Sequence, residues 1–154
     1  MARVLVQQAA FDPGAEIAAL TAGRTDVGGL GLFLGVVRGE AKGRPIVAMT
    51  LEHYPAMTER ALEAIAAEAG ARWPLSGCTV IHRVGRLLPG EPIVLVATTS
   101  AHRAAALEAC AVLIDWLKTR APFWKHEEFA DGGAGWVEAR EEDTAAAARW
   151  RVAP

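Results

Sequence analysis

Cysteine is scarce. The 154-residue chain has two, Cys78 and Cys110, far apart and outside any C-x-x-C pair, so neither a disulfide framework nor a zinc site is expected. Each reads as a buried thiol, Cys78 in a strand and Cys110 on a helix. A basic excess is also missing. The formal charge is −2, which argues against a general nucleic-acid binder, and one tyrosine with four phenylalanines leaves little surface for stacking bases. No apolar run is long enough to span a membrane and no signal-peptide pattern opens the chain, so a cytoplasmic protein without a membrane partner is expected. No two histidines have metal-ligand spacing, so no metal and no cofactor is expected. There is no Walker loop, no G-x-G-x-x-G and no arguable Ser-His-acid set. Internal repeats and low-complexity linkers are absent, and 52% of residues are apolar. Residues 1–154 are therefore expected to form one domain around a single core.

What is present alternates between strand and helix patterns. Strands are expected at Arg3–Gln7, Gly28–Arg38, Ile46–Tyr54, Cys78–Val84 and Ile93–Thr99, with a hairpin of Phe123–Phe129 and Gly135–Ala139 around D-G-G-A-G. The glycines of G-G-L-G-L-F-L-G mark close backbone approach. Ile46–Tyr54 is expected to pair antiparallel with Gly28–Arg38 across the polar turn Gly39–Pro45. Helices are expected at Pro13–Ala22, at Thr58–Trp73 with Leu62, Ile65, Ala66 and Ala69 inward, and at Ala101–Arg120, with a helix-prone tail from Glu141 to Trp150. This mixture indicates the α+β class.

The segment Ser100–Glu127 holds the most chemistry. Ser100 reads as an N-cap, which puts His102 and Arg103 in a first turn where the helix dipole disfavours cations. A basic pair beside free backbone N–H groups calls for an anion, phosphate above all. Further along, Leu107, Cys110, Ile114 and Leu117 form an apolar stripe, and Lys118 falls on it. It either snorkels, with Asp115 as a partner, or points into a pocket. Beyond the stop at Pro122, Lys125 shares a strand face with Phe123 and Glu127, while Trp124 and His126 take the other. Two lysines in an apolar setting lower each other's pKa, which makes an amine usable as base or nucleophile. Arg38, at the end of F-L-G-V-V-R, suits two-point phosphate contact. His53 and His82 lie within strand patterns and read as structural. Arg103 and Lys118 are separated by about 22 Å along one helix axis, so one small ligand meets both only if a two-fold dimer shares the site between chains.

Several blocks in order carry a family resemblance: Phe33-Leu34-Gly35-Val36-Val37-Arg38, Leu51-Glu52-His53-Tyr54-Pro55-Ala56-Met57-Thr58-Glu59, Val80-Ile81-His82-Arg83-Val84-Gly85, Gly90-Glu91, Ser100-Ala101-His102-Arg103, and Asp115 through Lys125. Over nearly its whole length the chain resembles the MoaE family, the large catalytic subunits of molybdopterin synthase. That resemblance implies an α/β hammerhead with an additional antiparallel β subdomain. It implies conversion of cyclic pyranopterin monophosphate to molybdopterin. The two sulfurs would come from the C-terminal Gly-Gly thiocarboxylate of a small ubiquitin-like partner, whose tail enters a pocket of the large subunit. It also implies a homodimer with a small subunit at each end.

By the same resemblance Lys118 and Lys125 are the catalytic residues. Substrate contacts are expected from Val36, Val37, Arg38, His102, Arg103, Lys118, Lys125, His126 and Glu127, with Phe33 and Ile114 as an apolar wall. One lysine serves as acid/base and the other stabilises charge; the sequence leaves the assignment open. Leu107 stands where the family often has phenylalanine, and His126 where a second Lys or Arg is common. One competing reading is a non-catalytic module that binds a phosphorylated ligand, needing Arg38 and Arg103 but not Lys118; another is an interaction scaffold whose apolar surface near Trp116, Phe123 and Trp124 receives a partner's tail.

Overall fold

In the computed structural model, which describes residues 2–137 and 141–151, the first sheet has four strands. Their order is β1 (Ala2–Gln7), β5 (Leu75–Arg83), β7 (Pro92–Ser100) and β2 (Gly29–Val36). β1 and β5 are parallel and the other pairs antiparallel. One face carries Ile81, Leu95 and Ala97 beneath α1 (Pro13–Thr21), whose Leu20 joins that cluster. The opposite face sends Val80, Val94 and Val96 into the main core, shared with α2 (Pro55–Arg72) and α3 (Arg103–Arg120). Burial on both faces explains why Ile93–Ala97 is an unbroken apolar run rather than an alternating one. The inward residues of α2 include the expected Leu62, Ile65, Ala66 and Ala69. The helix starts earlier than expected because Pro55, lacking a donor to lose, fits its first turn.

The second sheet runs β3 (Glu40–Ala41), β4 (Arg44–His53), β8 (Phe123–Phe129) and β9 (Ala134–Trp136), with β6 (Gly85–Leu87) also paired to β4. The fold is α+β with this added antiparallel unit. One expected pairing is corrected: β4 does not lie against β2. β2 pairs with β7, and β4 with β3, β6 and β8. The chain leaves the first sheet at Val37, whose N–H donates to Glu91 O (3.0 Å) and whose carbonyl accepts from Gly90 (2.8 Å). The polar turn is instead a tight hairpin of β3 and β4, with Lys42 and Gly43 both at positive φ (52° and 77°). Of the expected strand Gly135–Ala139, positions 138 and 139 lie outside the described residues.

Helix α3 is held on β2 by absent side chains. A Cβ on Gly31 would stand 2.5 Å from Ala106 O and 3.1 Å from Cys110 Cβ. Thr98 Oγ1 donates to the same Ala106 carbonyl at 2.6 Å. This close approach rotates the buried stripe to Ala106, Ala109, Cys110, Leu113, Trp116 and Leu117, leaving Leu107 exposed and Ile114 only partly buried. The expected Leu107–Ile114 stripe is corrected accordingly. So is the cap: Ser100 belongs to β7 and donates to Pro74 O (2.8 Å), and His102 takes the N-cap position without a side-chain capping bond. Asp115 turns from Lys118 to the tail helix α4 (Glu141–Ala148), accepting from Arg149 (3.0 Å) and from Trp150 Nε1.

Gly31→Ala is expected to destabilise the protein by about 2 kcal/mol, because the new methyl meets helix backbone that cannot swing aside. Urea unfolding should show a lower midpoint with an unchanged slope; an unchanged midpoint would mean that α3 does not rest on β2 this tightly.

Candidate functional site

α3 and β8 are joined by only Ala121 and Pro122. Ala121 N–H closes the helix on Leu117 O (3.3 Å), and Phe123 N–H then donates to Ala121 O (2.9 Å). So tight a connection folds the last helical turn back on the start of the strand. Lys118 and Lys125 consequently line one cleft of about 310 Å³, with Leu51, His82, Leu117, Ala121, Phe123, Trp124, Val137 and Asp143. Lys125 lies opposite Leu51 in the β4–β8 register, and its carbonyl accepts from Val137 N–H (2.8 Å). Lys118 is exposed at the mouth; Lys125 is half-buried.

The two amines share this cleft closely enough for the charge of Lys118 to act on Lys125. Burial is the main force on Lys125 and Lys118's charge and hydrogen bond the next. Together they bring its pKa down to about 8, against the opposing pull of Asp143 and Glu127. His82 is 3% exposed. Its ring stacks on Phe123 (centroids 4.0 Å, 21°) and its Nδ1 lies 2.8 Å from Arg83 O. Burial, then the charges of Lys118 and Lys125 and of His53, push its pKa down to about 3, against the Arg83 hydrogen bond. It is a neutral ring inside a cationic cleft.

The other expected site residues stand elsewhere in the chain. Val36, Val37 and Arg38 end β2 and follow it, and His102 and Arg103 begin α3 beside Gly29. None of these five lines the cleft. Helix length alone keeps Arg103 about 22 Å from Lys118. Phe33 on β2 and Ile114 on α3 likewise do not line it. His126 points to the opposite face of β8, edge-on to Trp136 (5.0 Å); Glu127 does not line the cleft but acts on Lys125 through its charge. Sequence reasoning missed His82 and Asp143 as cleft residues. A histidine in a Val-Ile strand reads as core, and only the strand's place beneath β8 opens it to the cleft. Among the described residues no group of histidine, cysteine, aspartate and glutamate could hold a metal ion, and no helix is long and apolar enough to cross a membrane.

The frame is α+β, with a lysine pair in a cleft at a helix–strand junction. Residues 6–120 match the family model described as MoaE protein. The chain is 57% identical over 147 residues to the molybdopterin synthase catalytic subunit of Pseudomonas aeruginosa, covering 96% of this chain and 97% of that one. It is similar in structure to the molybdopterin biosynthesis MoaE protein from Burkholderia ambifaria, with a TM-score of 0.83, 52% identity and coverage of 99% and 100%. The molybdopterin synthase from Staphylococcus aureus is more distant, with a TM-score of 0.79, 28% identity and coverage of 86% and 95%. The chain belongs to the MoaE family.

Lys118→Met should raise the Lys125 pKa from about 8 toward the ordinary lysine value by removing a like charge. NMR titration of the lysine ε-carbons reads this directly, and an unmoved midpoint would show that the two ammonium groups do not interact. The linkage sign follows. A depressed lysine pKa means the unfolded chain binds more protons between pH about 8 and about 10.4, so wild-type stability rises with pH across that window, and the variant should show less of this rise.

Proposed function

We propose that this chain is a sulfurtransferase, the catalytic subunit of a molybdopterin synthase. It converts cyclic pyranopterin monophosphate to molybdopterin with sulfur from the C-terminal Gly-Gly thiocarboxylate of a small ubiquitin-like partner, in the cytoplasm. The observation that carries this reading is the convergence of Lys118 and Lys125 in one cleft, with Lys125 brought down to about 8. A group with a pKa near working pH is suited to move protons. The Lys125 amine takes and returns the proton during sulfur addition and water loss, and the Lys118 ammonium steadies the negative charge that develops. The chain's own cysteines support an external sulfur source: both are buried, and burial pushes each thiol up to about 11, so neither is a ready thiolate.

Residues 1–154 act as one domain in a homodimer, with a small subunit at each end. The substrate phosphate is met by Arg38, His102 and Arg103, and the substrate also touches Val36, Val37, His126 and Glu127, with Phe33 and Ile114 as wall. Because the helix keeps His102 and Arg103 far from the lysines of their own chain, one pocket draws its cations from two chains. The exposed edge strand β2, with Leu32, Phe33, Leu34 and Val36 all exposed, supports a covered face near these residues.

Lys118→Ala and Lys125→Ala are each expected to cut formation of the dithiolene product by at least about 100-fold, with folding and partner binding near wild type. The assay is incubation with the cyclic pterin and thiocarboxylated partner. Undiminished turnover by Lys118→Ala would remove Lys118 from the chemistry, and no product from the wild-type chain would favour a non-catalytic binding module instead. In a second assay, inactive Lys118→Ala and Arg103→Ala chains are mixed. Hybrid dimers should regain part of the activity, and none regained under proven subunit exchange would overturn the shared pocket.

A further inference from the structure

His82 sits where β5 passes beneath β8, on the strand face that also carries Val80 into the main core. Its orientation is fixed twice. Phe123 stacks on the ring at 4.0 Å, and Nδ1 lies 2.8 Å from the Arg83 carbonyl. A carbonyl oxygen only accepts, so Nδ1 carries the hydrogen and Nε2 keeps its lone pair. The ring remains neutral at working pH, because burial, both lysine charges and His53 disfavour a second proton. Nε2 is thus a permanent acceptor.

The side chain that carries this acceptor lines the cleft. Among the described residues, the side-chain atoms that are both fully enclosed and unpartnered are His53 Nδ1 and Thr58 Oγ1. His82 Nε2 is not so enclosed, no described residue donates to it, and the residue lines the cleft with Lys118 and Lys125. A bound group offering N–H would take the place of water as the donor to this acceptor. The lysines ask for an anion and the imidazole for a hydrogen-bond donor in the same small space. A peptide's C-terminal glycine offers both, its carboxylate or thiocarboxylate and its amide nitrogen being separated by one methylene. It has no side chain to bar it from a ring this deep.

We propose that His82 Nε2 accepts the amide N–H of a C-terminal glycine whose carboxylate or thiocarboxylate end meets Lys118 and Lys125. His82 is then a positioning residue: it sets the depth and rotation at which the terminal acyl group meets the lysines. The inference rests on the reading above that a glycine-ended tail enters this cleft.

The test uses a small ubiquitin-like sulfur carrier ending in Gly-Gly, in its carboxylate form, beside the same protein with the terminal glycine N-methylated. Wild-type chain should bind the N-methylated tail about tenfold more weakly, the loss of one hydrogen bond. His82→Phe keeps a ring against Phe123 but has no acceptor, and should bind the two tails alike. His82→Gln carries an amide oxygen to about the position of Nε2, and should keep the preference. A purely structural role for His82 would weaken both tails equally and leave their ratio unchanged, which overturns the proposal. Equal binding of both tails by wild type overturns it as well, also where His82→Phe fails to fold. If His82→Phe raises KM for the cyclic pterin but keeps the wild-type tail ratio, the donor is the heterocycle's N–H and the proposal is wrong. If the glycine-ended carrier does not bind wild type at all, it is the parent reading that fails, and the two failures stay distinct.

Discussion

Two like charges are held side by side at the end of α3, and the rest of the molecule is what keeps them there. Lys118 and Lys125 would separate in a free chain. Their neighbours do not allow it: Leu117 precedes Lys118 into the main core, Leu51 faces Lys125 across the β4–β8 ladder, and Phe123 packs against that core two residues before Lys125. The connector of Ala121 and Pro122 gives the pair no slack. Hydrophobic burial on either side of each lysine thus offsets the repulsion and the lost solvation, and the result is stored as an easily released proton on Lys125.

The same core divides the molecule's positive charge between two ends. α3 begins against Gly29 and finishes at the cleft, so His102 and Arg103 lie at one extremity and the lysines at the other. Arg83, by contrast, is a cation committed to the fold. Only 8% exposed, it donates to Gln8 O (3.0 and 3.1 Å) and Pro92 O (3.1 Å) and pairs with Glu91 (3.4 Å). It ties the end of β1 to the loop that enters β7. Cations with backbone partners hold structure here, and those at the cleft face one another.

How far the sequence could be read depended on whether a signal was local. The stripe of α2 was legible because it reports its own surroundings through periodicity, and β7 was legible as a strand from its apolar, β-branched run. The convergence of Lys118 with Lys125 was legible because seven residues and one proline leave few alternatives. The pairing of β2 with β7 rather than β4 was not, since alternation says which face is buried and nothing about which strand lies alongside. α3 was misread by one position for a related reason. Its contact with β2 is made by alanines and glycines, whose small size is the basis of the packing, while the larger Leu107 drew attention to a face left in solvent. His82 escaped because its chemistry is conferred by Phe123, some forty residues later in the chain.

Asp143 reaches the cleft from α4, and α4 is fastened to α3 by Asp115 through Arg149 and Trp150. Of the two counter-charges that steady the protonated form of Lys125, Glu127 sits on its own strand, and Asp143 belongs to a separately anchored tail. A charge change at Asp143 would therefore reach the amine from a part of the chain that carries neither lysine.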